Sequence, residues 1–375
     1  MGVGSAMPGW LAAGCAAKKG VFYDREITTV CKADADLPRH SEGSIIELND
    51  STLLLSWQRS EASEHGSGDE APSTIALLNS SDGGRTWGNF RIAVERDENT
   101  VNIFGPNFLR LQNGEILLFY YKYNQHTARM PRITTGYMIR SRDEGKTFGQ
   151  PEMVWQQDRF TTANSSIRRL SSGRVILPMS YTEGEWLAPT EKIHVRVIYS
   201  DDDCRTWVFG QHKITLPMRG AMEPFIAELN DGRLMMVMRN QLGSVFKSYS
   251  VDGGESWSLP QTTGLKAPES CPYVTNIPGS DKIMVVWNNA EYNMHWRSHY
   301  GKRTPLTAAI SADGGVTFTD FWDIETDPKT AFTNPGITWT SDGVCLLSYW
   351  ACTYTEDWRF FGLIDLKLAR FRVRV

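Results

Sequence analysis

Two glutamates, two asparagines and a tyrosine recur at one position of a repeating pattern, and together they could move protons and hold a polar ligand. They are Glu42, Asn164, Glu223, Tyr273 and Asn334, with Gly105 as the sixth member, each nine residues ahead of the second residue of a polar turn. The turns, at 50–51, 113–114, 172–173, 231–232, 281–282 and 342–343, separate pairs of apolar runs, as in β-hairpins. A carboxylate or amide at the start of a strand entering an apolar core needs a polar partner. Neighbouring strands can supply it, which for Asn164 and Asn334 is an equal alternative, or the residues face one shared cavity. Glu42 and Glu223 would then be a pair of carboxylates able to act as acid and base.

A second repeat, out of phase with the first, says what positions them. Five octapeptides follow S-x-D-x-G-x-[TS]-[WF]: SSDGGRTW at 80–87, SRDEGKTF at 141–148, SDDDCRTW at 200–207, SVDGGESW at 250–257 and SADGGVTF at 311–318. Their starts lie 61, 59, 50 and 61 residues apart, room for four short strands and their loops. In each, the Asp can bond backbone N–H groups of a turn and the Gly accepts a positive φ. In the third copy Cys204 replaces that Gly, so the turn is expected to be strained or differently shaped. Helical spacing of apolar residues is nearly absent. The expected fold is therefore all-β, a six-bladed propeller of four-stranded antiparallel blades, with the last blade completed by the segment 20–30. The starts of the six innermost strands would converge on one axial pocket.

Composition closes off other classes. With 375 residues, 41% hydrophobic and 22% charged, the chain is globular rather than disordered. A net charge of −4 without a basic run argues against nucleic acid as the partner. The apolar run at 116–121 is far short of the ~20 residues a bilayer crossing needs. Six cysteines without a C-x-x-C pair read as free thiols. His295 and His299 have the i, i+4 spacing of a metal pair, but their surroundings are not helical and no carboxylate follows, so neither metal nor other cofactor is expected. The apolar stretch 10–17 lacks a basic lead; residues 1–18 read as a leader or disordered terminus before a single domain at 19–375, with a cytoplasmic location favoured over a secreted one.

The octapeptides resemble the Asp-boxes of the sialidase (neuraminidase) superfamily of six-bladed propellers. The segment EPFIAELNDGRLMMVMR at 223–239 is similar to the stretch of that family whose Glu polarises the catalytic Tyr and whose Arg, sixteen residues on, grips the substrate carboxylate. The resemblance thus implies those roles for Glu223 and Arg239. Arg303, eight residues before the fifth octapeptide, resembles another member of the family's arginine triad, with Arg297 as a competitor. Asp69, in GSGDEAP at 66–72, resembles the mobile-loop Asp that serves as acid/base.

Two departures stand out. The family opens its first inner strand with Arg-Ile-Pro, where this chain has Ser41, Glu42 and Gly43 preceded by Arg39 and His40, so the first arginine is missing or displaced. The family's nucleophilic Tyr belongs near Asn334, where no Tyr stands; Tyr273, at the start of another inner strand, could substitute, and Glu42 opposite Glu223 offers a different pair, acid plus base. His40 is a further candidate for acid/base work or for a sugar hydroxyl. Trp57, Trp186, Trp287 and Trp296 read as interblade packing before sugar stacking. The resemblance implies an exo-glycosidase acting on an acidic glycan, with a uronate-directed lyase or a non-catalytic glycan-binding propeller as alternatives.

Overall fold

The computed structural model describes residues 20–375 apart from 125–132, 159, 184–190, 297–298 and 356–361; residues 1–18, Trp186 and Arg297 lie outside it. No helix occurs among the described residues, and none is therefore long and apolar enough to cross a membrane. The strands form consecutive four-stranded antiparallel groups, called blades I to VI here. Their first strands are Arg39–Glu47, Thr100–Arg110, the interrupted pair Phe160–Thr161 and Arg168–Arg169, Met222–Glu228, Tyr273–Asn276 and Thr330–Trp339.

Blade VI takes its outer strand from the other end of the chain, Phe22–Cys31 pairing antiparallel with Ile364–Val373, as the sequence led us to expect. Counted by hydrogen bonding, the sheets number five rather than six, because a parallel bridge from Arg39 to Ile364 joins blades VI and I into one eight-stranded sheet. The second strands are the driest. Leu234–Arg239 and Ile283–Asn288 are buried at every position, on both faces, which their near-continuous apolar sequence permits. Apolar clusters lie between blades rather than within them: Leu117, Phe119 and Trp155 of blade II pack with Leu177, Met179 and Ile198 of blade III. Each such side chain, fully buried, contributes roughly 1.5–3 kcal/mol relative to exposure. Trp57 and Trp287 belong to this packing, both buried, so neither offers a face to a sugar.

Every octapeptide begins on the last residue of a third strand and turns the chain into the fourth. In all five, the Ser hydroxyl donates to the Asp at 2.7–2.8 Å and accepts the N–H of the fifth residue at 2.8–2.9 Å. The hydroxyl of the seventh residue donates to the same Asp at 2.5–2.6 Å. The Thr147 hydroxyl and N–H hold Asp143 down at about 2. Slight burial works the other way on Asp313 but is outweighed by Thr317, again giving about 2. Cys204 settles its own question: it adopts φ 66° and keeps the same bonds, so the turn is strained and not reshaped.

Candidate active site

The first strands bend at the ring position. Register breaks fall between Ser41 and Ser44, Phe104 and Asn107, Met222 and Phe225, and Thr333 and Gly336. Inside each break sits one residue in the left-handed region: Glu42 (φ 59°), Gly105 (61°), Glu223 (44°) and Asn334 (52°). These are β-bulges, which re-aim a side chain out of the pleat. For a non-glycine residue such a conformation costs about 1–3 kcal/mol, and this kind of strain gathers at sites of function.

The bulges open onto a cavity of about 420 Å³ lined by Arg39, Glu42, Asp69, Glu223, Arg239, Arg303 and Asn334, all anticipated above. Its wall also includes Tyr121, Tyr123, Arg219 and His299, which were not. Tyr121 and Tyr123 alternate on one face of the second strand of blade II. Gly105 makes room for Tyr121, since a Cβ there would lie 2.7 Å from its ring. The period-two alternation was the available signal, but with no turn motif at that strand end nothing marked it as axial.

The charges around the cavity form two hydrogen-bonded groups, one at Arg39 and one at Arg239. Arg39 donates from Nη1 to Asp69 at 2.6 Å and from Nε to Ser41 at 2.8 Å. Arg39 thus brings a guanidinium to the cavity wall, two residues ahead of the position where the family spacing would put one. Arg239 donates from Nη1 to both oxygens of Glu223, at 3.1 Å each, and from Nη2 to Glu269 at 3.0 Å. Glu269 also accepts from Arg219 at 3.3 Å and from Gln241 at 3.0 Å. Arg303 donates to the Glu269 carbonyl at 3.2 Å, while its own N–H reaches the Tyr354 hydroxyl at 2.6 Å.

Proton affinities follow from these surroundings. Burial raises Glu42 to about 7 against the pull of Arg39, with Asp69 and Glu223 adding to the rise. Burial also pushes Asp69 upward, but Arg39, then Arg239 and Arg303, outweigh it and hold the carboxyl below its usual value. Its side chain nevertheless faces the open cavity, 71% exposed, so solvent screens part of that pull. Burial and then Arg239 draw Arg303 down to about 10. Burial and the same arginines keep His299 well below the ordinary histidine value, hence neutral at pH 7.

Three sequence candidates lie elsewhere. Tyr273 is fully buried and its hydroxyl donates to the carbonyl of Ser165 at 2.8 Å, with the Ile337 carbonyl at 3.2 Å; it packs on Phe225 in the core and does not line the cavity. The blade V strand pairs without a register break, so the count that lands on a bulge elsewhere lands on a core residue there. Asn164 is also buried and bonds the Gly43 carbonyl at 2.8 Å, the interblade contact offered above as its alternative. His40 accepts the Trp57 indole N–H at 3.1 Å, and burial lowers it to about 4, so it is a neutral core histidine and not a cavity base.

A ring of four-stranded blades with Asp-box turns and an axial cavity of arginines and carboxylates defines a propeller of the sialidase type. The chain belongs to the BNR repeat-like domain family, which matches residues 51–347. A sialidase of Micromonospora viridifaciens is 26% identical over 224 residues, covering 53% of this chain and 33% of that protein. A sialidase of Paraclostridium sordellii is 25% identical over 237 residues, covering 58% of this chain and 56% of that protein. The chain thus spans between a third and just over half of these relatives' lengths. A Dyadobacter fermentans protein described as of unknown function superposes with a TM-score of 0.73 at 16% identity, covering 93% of this chain and 99% of its own. The intramolecular trans-sialidase of Ruminococcus gnavus superposes at 0.69 and 16% identity, covering 91% and 96%.

Proposed function

We propose that this protein is an exo-acting glycoside hydrolase that removes a terminal carboxylate-bearing sugar, sialic acid or a related acid, from a glycan. The observation that carries this is the meeting of Arg39, Arg239 and Arg303 in one cavity of about 420 Å³. These three of the four guanidiniums lining a hollow of that size suit one acidic sugar ring, and their paired N–H donors fit a carboxylate better than lysine would.

In this reading the substrate carboxylate takes over the guanidiniums, and Glu223 holds Arg239 in place for it. Asp69, paired with Arg39, loses that partner to the substrate. Its proton affinity then rises as water leaves, which readies it to protonate the leaving oxygen. Release of fluorophore from 4-methylumbelliferyl glycosides of sialic and uronic acids, set beside a neutral galactoside, tests the proposal. Turnover of one acidic glycoside and none of the neutral one is expected. Turnover of the galactoside alone overturns it, and appearance of a conjugated unsaturated sugar would mark a lyase instead.

A further inference from the structure

Three anticipated carboxylates face the cavity, and they differ in what holds them. Asp69 is paired with the Arg39 guanidinium at 2.6 Å, and both oxygens of Glu223 lie 3.1 Å from one guanidinium nitrogen of Arg239. Glu42 is held by neutral donors: Oε1 accepts the Asn334 side-chain amide at 3.1 Å and Oε2 the Gly105 backbone N–H at 3.2 Å. A carboxylate pinned to a guanidinium resists protonation, whereas one fixed by amide dipoles keeps its orientation and, with it, a lone pair on each oxygen for another donor.

The backbone adds an independent argument. Glu42 sits at φ 59°, where blade II carries Gly105 at φ 61°. The bulge can therefore be built with glycine, and a glutamate there bears strain that the fold does not require. Asn334, its hydrogen-bond partner, stands where the resemblance places a nucleophilic Tyr.

We propose that Glu42 is the general base of the hydrolysis, an assignment that rests on the glycosidase reading. Glu42 takes a proton from water as the water oxygen bonds to the anomeric carbon. The glycosidic C–O bond breaks, its electron pair goes to the leaving oxygen, and that oxygen takes the proton of Asp69. One water is consumed, Glu42 returns its proton to solvent and Asp69 regains one. Facing Glu42 are Arg39 on its own strand, Asp69 from the loop, Glu223 from blade IV, Asn334 from blade VI, and Tyr121 and Tyr123 from blade II.

Two variants test this on whichever acidic glycoside the wild type cleaves. Glu42→Gln should lower kcat by roughly 10²–10⁴ with little change in KM, and should lose the rise of rate with pH near neutrality. Glu42→Gly should fold, because glycine removes the strain, and added azide should restore turnover at least about tenfold and yield a glycosyl azide, since azide needs no base. An active wild type whose Glu42→Gln variant keeps more than about a tenth of its rate overturns the assignment alone. So does a Glu42→Gly protein that melts like wild type yet gives no azide product. A wild type silent on every acidic glycoside removes the glycosidase reading and this assignment together.

Discussion

The outer rim and the axial ring are both repeated once per blade or nearly so, yet they repeat different things. At the rim, five turns keep the same residue types and the same bonds, even where Cys204 must accept a left-handed backbone to do so. At the axis, four bulges keep the same backbone and change the residue: Glu42, Gly105, Glu223 and Asn334. Conserved side chains with conserved bonds build the turn. Conserved backbone with varied side chains offers a set of fixed mounts on which different chemistry can be placed.

That contrast can be broken by substitution, and the axis should suffer most. Replacing Arg239 by Met leaves Glu223 and buried Glu269 without their shared partner, and stability should fall by about 3–5 kcal/mol in a denaturant titration. An unchanged midpoint would mean that the charge network is not structural. Next, Gly336→Ala places a Cβ 2.5 Å from the Gly43 carbonyl and should destabilise by about 1–3 kcal/mol, read by the same titration. Asp143→Ala, which removes the rim carboxylate from several bonds, should cost about 1 kcal/mol, with turnover intact if the rim has no part in chemistry.

A pH series of melting curves sharpens the same comparison through opposite signs. Asp143 and Asp313, lowered to about 2, stabilise the fold above about pH 4, and that contribution is lost as pH falls toward 2. Glu42, raised to about 7, favours the folded state while protonated; its contribution is full below about pH 4 and is lost as pH rises through 7. Glu42→Gln should therefore gain on wild type as pH climbs from 5 to 8, while Asp143→Asn should differ from wild type mainly above pH 4. The smallest effect belongs to Cys204→Gly, where relief of φ 66° offsets the loss of a buried thiol, for a net change under about 1 kcal/mol.

The two repeats also explain what was legible in the chain. The octapeptides announce themselves because the Ser, the Asp and the seventh-position hydroxyl bond locally in every copy, so the propeller is legible in the sequence. The hairpin count located Glu42, Glu223 and Asn334 at the cavity because the bulge sits at a fixed distance from the turn. It failed at Tyr273, whose strand has no bulge, and at Asn164, where the left-handed residue is the next one, Ser165. Tyr121, Tyr123, Arg219 and His299 come from second strands and connecting loops, where no repeat sets a register. Arg39 was seen but not placed, since the bulge at Glu42 changes which side of the strand its neighbours face.

The axis below Glu42 and Asn334 has a plain consequence for traffic. There Gly43, Gly336 and Asn164 pack so closely that the Asn164 amide bonds the Gly43 carbonyl at 2.8 Å and a single added methyl at residue 336 would collide with it. Among the described residues this packing narrows the hub on that side of the arginines. If the proposed glycosidase reading holds, a freed acidic sugar would leave by the face at which the glycan enters, and build-up of product should slow the cycle.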